Sequence, residues 1–149
     1  MTRSSTDAVV EAFSTLLATS YTLYLKTHNY HWNVTGPMFA TLHGLFESQY
    51  TELATAVDEI AERIRILGAP APGSYSAFAK LSVIEEETGH PEATTMLERL
   101  CADHKAAASA ARKVVDAAEE VGDQASADLA TRRIEVHEKS TWMLYSHLQ

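Results

Sequence analysis

Cysteine is almost absent from this chain: Cys101 stands alone among 149 residues. A single thiol excludes an intrachain disulfide, and no thiolate metal motif surrounds it. It reads as a core thiol, and the cytoplasm is the expected compartment. Basic residues are also scarce, with 12 Lys and Arg against 20 Asp and Glu and a formal charge of −8. They are scattered, with Arg3 the sole basic residue before Lys26 and no basic extension at Gln149. Duplex binding draws on clustered cations that neutralise phosphates, so this distribution argues against direct DNA binding. Missing too are a run of about 18 apolar residues and a basic segment followed by an apolar block. Neither a membrane span nor a secretion leader is expected. With no internal repeat, no low-complexity segment and 46% hydrophobic residues, the chain reads as one domain over residues 1–149.

What is present is helical periodicity. From Thr6 to His31, apolar residues recur at three- and four-residue steps (Val9, Phe13, Leu16, Leu17, Leu23), predicting a first helix. Gly36 and Pro37 break it. A second helix is expected from Met38 to Leu67, capped by Gly68. Tyr75 to Lys80 could add one or two turns, and Glu85, Glu86 and Glu87 read as a solvated acidic surface. A third helix is expected from Pro91 to about Val121. Asp123 is placed to cap a fourth, running to about Leu148. Four long helices with one long central connection predict an all-α antiparallel four-helix bundle.

The chemistry concentrates between His28 and Gly68. At 100° per residue from His43, Glu47 falls at about 40°, Asp58 at about 60° and Glu62 at about 100°, so all four share one helix face. Glu47 and Asp58 are nevertheless separated by roughly 16 Å of axial rise, and one ion cannot touch both pairs in one chain. The pairs His43/Glu47 and Asp58/Glu62 lie symmetrically about a point between Glu52 and Leu53. Two copies of the helix, antiparallel across a two-fold axis, would bring the first pair of one chain to the second pair of the other. Imidazole with carboxylates suits iron or manganese, and zinc is compatible.

The same stretch resembles the Dps family of mini-ferritins. The resemblance rests on His31, Trp32, Asn33, Val34, Gly36, Phe39, Leu42, His43, Phe46 and Glu47, then Asp58, Ile60, Ala61, Glu62, Arg63, Ile64, Leu67 and Gly68. A second block, Asp128 to Leu148, is similar to the family's last helix. Glu47 stands where many members carry Asp, and Tyr145 where Arg is expected. The resemblance implies a ferritin-like bundle with a short extra helix in the central connection, assembled as a hollow homododecamer of dimers. It implies a ferroxidase that binds iron at His31, His43, Glu47, Asp58 and Glu62, oxidises Fe(II) with hydrogen peroxide in preference to dioxygen, and stores the Fe(III) mineral. Trp32 would lie beside the iron, and Asp123 and Asp128 would line acidic pores. The alternatives are a nucleoid-associated DNA-binding member with minor iron chemistry and a zinc or manganese member without turnover.

A di-iron centre inside a single ferritin-like bundle uses Glu-x-x-His on two helices. Only Glu87 to His90 has that spacing, beside Gly89 and Pro91. The bundle interior is therefore expected to be apolar. His28, His90, His104, His137 and His147 are expected to be surface residues or structural hydrogen-bonding groups.

Overall fold

The computed structural model describes residues 5–149 as five helices, with no strand among the described residues. Arg3 lies outside that range. The helices are α1 (Ser5–Asn33), α2 (Phe39–Ile66), α3 (Tyr75–Leu81), α4 (Ala93–Glu120) and α5 (Gln124–Tyr145). This is the expected ferritin-like bundle, with α3 as the short helix of the central connection.

Each turn has a local cause. Gly36 has φ +100° and Gly68 φ +96°, a region open to glycine because it has no Cβ. Gly68 ends α2 as expected. Asp123 caps α5, accepting from the Ser126 amide at 3.1 Å, and Ser74 caps α3, accepting from the Ala77 amide at 3.2 Å. Two boundaries differ from expectation. α4 starts at Ala93 because Glu92 is still extended, with ψ 160°. α5 stops at Tyr145, and His147 and Leu148 close tighter turns onto Leu144 and Tyr145.

α1 packs on α2, α4 on α5, and α1 on α4. Cross-links show that neighbours run antiparallel. Late in α1, Lys26 meets Asp103 early in α4 at 2.9 Å. Late in α2, Arg63 meets Asp123 at the start of α5 at 3.0 Å. The central connection climbs along α1, where Lys26 donates to the Glu85 carbonyl at 2.9 Å. α1 has the length and hydropathy of a bilayer-crossing helix, but Val9, Phe13, Leu16, Leu17 and Leu23 are buried against the other helices. Burial of each large apolar side chain contributes about 1.5–3 kcal/mol.

Two expectations are corrected. Glu87 is not a solvated acid: its side chain is buried and accepts hydrogen bonds from the Tyr30 hydroxyl, the Arg99 guanidinium and the Gly89 amide. The interior is not uniformly apolar either. One apolar cluster includes Phe13, Ile64 and Val114, and another includes Tyr30, Phe46 and Leu100. Buried polar groups from all four long helices accompany them: Ser20, Gln49, His104, Arg133 and His137.

Candidate metal centre

The α1–α2 turn reverses the chain so that His31, in the last turn of α1, lies against His43, near the start of α2. Their rings stack with centroids 3.8 Å apart and planes 14° apart. Each ring is held by the other's backbone: His31 Nδ1 is 2.7 Å from the His43 carbonyl, and His43 Nδ1 is 2.7 Å from the His31 carbonyl. A carbonyl only accepts, so both Nδ1 atoms carry the proton and both Nε2 atoms keep a lone pair. Fixing one ring nitrogen on a carbonyl sets the orientation and tautomer that a metal-binding imidazole needs.

Glu47 lies one turn beyond His43, and its Oε1 is 3.9 Å from His31 Nε2. That separation is too long for a hydrogen bond. It leaves the Glu47 carboxylate beside His31 Nε2 without engaging it. His31 is 7% exposed, whereas the Glu47 side chain is 61% exposed, so the trio opens outward.

Aromatic rings surround the pair. Phe39 stacks on His43 at 5.0 Å, and Tyr50 meets His31 edge-on at 5.1 Å. His28 lies between Tyr50, at 4.3 Å, and Trp32, at 3.9 Å. Partial burial, and then the neighbouring His31, lower the His28 pKa. Trp32 is 58% exposed.

Asp58 and Glu62 are exposed on the unbroken α2. Fifteen residues from His43 to Asp58 make about 22 Å of axial rise, so one chain does not bring them to the histidines. Among the described residues no group of three or more His, Cys, Asp or Glu side chains forms a metal-binding cluster. A single chain thus gathers His31 of α1 with His43 and Glu47 of α2 and leaves Asp58 and Glu62 apart, further along α2.

The two pore candidates differ from each other. Asp123 is held by Ser126 and Arg63; burial raises its pKa, but these hydrogen bonds and the Arg63 charge outweigh burial and hold it low. Asp128 is exposed and accepts from Gln124 at 2.8 Å.

Sequence reasoning missed one arrangement. His104 and His137, from α4 and α5, are 1% and 0% exposed, with Nδ1 atoms 2.9 Å apart. Their signal was positional, since each sits at the core spacing of its helix, Leu97–Leu100–His104–Ala107 and Ala130–His137–Leu144.

An all-α four-helix bundle with one long crossover is the ferritin-like architecture, and the ferritin-like domain family matches residues 10–149. The crystal structure of a Dps protein from Bacillus brevis is similar over 100% of both chains, with TM-score 0.95 and 34% identity. A Dps structure from Vibrio cholerae, described as a member of a broad superfamily of ferritin-like diiron-carboxylate proteins, matches with TM-score 0.93 and 32% identity, over 97% of this chain and 91% of that one. By sequence, the chain is 35% identical to DNA protection during starvation protein 2 of Bacillus anthracis, over 94% of this chain and 96% of the relative. It is 39% identical to an uncharacterized low temperature-induced protein of Nostoc sp. PCC 7120, over 100% of this chain and 84% of the relative. The chain belongs to the Dps family of ferritin-like proteins. That membership is consistent with iron storage or ferroxidase activity and with DNA protection.

Proposed function

We propose that the protein is a ferroxidase whose sites are shared between two subunits. The observation that carries this reading is the mutual lock of His31 and His43, which leaves two Nε2 lone pairs beside the Glu47 carboxylate. His31 and His43 of one chain and Asp58 and Glu62 of a second copy bind the first Fe(II). Glu47 holds a weaker second position, and its exposed side chain suits a looser ligand. The dimers build a hollow homododecamer that stores the Fe(III) mineral, and Asp128 contributes to an acidic entry pore, where grouped carboxylates concentrate cations. Asp123, engaged by Arg63, serves mainly as the α5 cap.

Hydrogen peroxide is the preferred oxidant and dioxygen the slower one. Two Fe(II) give up one electron each, and the peroxide O–O bond accepts both with two protons, yielding two waters. Trp32, tilted against His28 at 3.9 Å, is placed to intercept stray oxidising equivalents. Protection of DNA in the cytoplasm follows from removing iron and peroxide together. The net negative charge supports this route over direct duplex binding, the second reading.

Stopped-flow mixing of anaerobic Fe(II)-loaded protein with peroxide or with air-saturated buffer tests the proposal. A fast peroxide phase and a slow air phase are expected; no protein-dependent acceleration with either would overturn it.

A further inference from the structure

The His104–His137 pair takes no part in the iron site, and its surroundings are chemically unusual. Both rings are buried in the bundle interior. One Nδ1 donates to the other across 2.9 Å, so one ring keeps an N–H at Nε2 and its partner keeps a lone pair there. Both Nε2 atoms are buried without a hydrogen-bond partner, as are Ser20 Oγ, both amide atoms of Gln49 and Arg133 Nε. Buried polar groups in folded proteins are nearly always satisfied, so a set of orphans calls for an explanation.

The charges around the pair come from three helices. On α5, Arg133 acts on both rings, and its guanidinium is bound by Glu52 of α2 through two hydrogen bonds. On α4, Lys105 and Arg112 line an open cavity of about 270 Å³ that His104 borders, and Glu138 of α5, paired with Arg112 at 3.1 Å, lines it too. On α1, Thr19 and Ser20 are buried and uncharged.

We propose that His104 and His137 form an acid-sensitive lock in the bundle interior, which favours the folded chain only while both rings stay neutral. The first proton enters at the free Nε2 lone pair, with the cavity beside His104 as its route. It leaves the shared N–H···N bond in place but sets a cation near Arg133. The second proton makes donors of both Nδ1 atoms, which then confront each other at hydrogen-bond distance. Repulsion falls on Arg133, whose contact with Glu52 ties α5 to α2. Burial and then the Arg133 charge hold His104 down to about 3; burial, then His104 and Arg133, hold His137 well below its ordinary value.

Both folded-state values lie below the unfolded value of 6.5, so the stability these groups confer is present above pH 6.5 and is lost as pH falls. Between pH 6.5 and 4.5 His104 should shift the unfolding equilibrium about fifty-fold toward the unfolded chain, and His137 should add a shift of the same sign. The test is urea unfolding of the assembled protein at those two pH values and fixed protein concentration, for the wild type and for the double variant His104→Leu/His137→Leu. The wild type should lose at least about fifty-fold more than the variant, because leucines of similar volume remove both the protons and the orphans. Parallel losses within threefold would overturn the lock. If the double variant does not fold, C2–H deuterium exchange of the wild-type histidines, read by mass spectrometry, gives each ring's titration. Absence of a midpoint between pH 5 and 8 for His104 and His137 is expected; a midpoint near 6.5 in the folded protein for either ring would overturn the proposal.

Discussion

His31 and His43 each donate Nδ1–H to the other's backbone carbonyl at 2.7 Å, with their rings stacked at 3.8 Å. This reciprocity fixes both rings in one arrangement. Neither ring can turn without breaking a hydrogen bond and the stack. Because the acceptors are backbone atoms, His43→Ala leaves the partner of His31 Nδ1 in place while deleting one lone pair. Iron oxidation in His43→Ala should fall at least about tenfold. Assembly, checked by size exclusion, should stay intact; unchanged oxidation would remove His43 from the site.

The Glu47 carboxylate reaches only to 3.9 Å from His31 Nε2 and stays 61% exposed. Glu47→Ala should therefore lower the iron stoichiometry of an anaerobic Fe(II) titration from two per site to one, with the tighter binding phase retained. Loss of both phases would mean that Glu47 holds the first iron as well.

Glu87 accepts from the buried Tyr30 hydroxyl and from Arg99, clasping the central connection to α1 and α4. Glu87→Ala leaves that hydroxyl without its partner, at a cost of about 1–3 kcal/mol in urea unfolding. The Tyr30 hydrogen bond chiefly, with Arg99 and the Gly89 amide, outweighs burial and lowers the Glu87 pKa from 4.5 to about 2. Its contribution is thus present above pH 4.5 and is lost as pH falls toward 2. The wild-type stability curve should steepen in that window, and the Glu87→Ala curve should run flatter there.

A formal charge of −8 with scattered cations predicts no retardation of duplex DNA in a gel shift at physiological salt and neutral pH. Retardation that weakens steeply with added salt would favour the nucleoid-binding reading instead.

Much of this architecture was legible in the chain. The apolar steps of α1, Gly68 after α2 and Asp123 before α5 each act locally, so spacing alone finds them. The stripe of His43, Glu47, Asp58 and Glu62 was legible for the same reason, since one helix carries all four. What escaped depends on contacts between elements. The burial of Glu87 is created by Tyr30 and Arg99, 57 and 12 residues away, and an acidic triplet carries no trace of them. His104 and His137 are 33 residues apart on different helices, and each alone looks like an ordinary histidine. The hydrogen bonds that orient His31 and His43 use backbone carbonyls, which no residue pattern can reveal.

The most direct test of the shared site is co-expression of His43→Ala with Asp58→Ala, followed by peroxide-driven iron oxidation of the mixed assemblies. Each variant alone lacks one ligand of every site. In a mixed dimer, intact histidines of the Asp58→Ala chain face intact carboxylates of the His43→Ala chain, so one site of two is whole. Random pairing then restores about a quarter of the wild-type sites, and the fast phase should return with about that amplitude. Oxidation no greater than that of either variant alone would contradict a site built from two subunits.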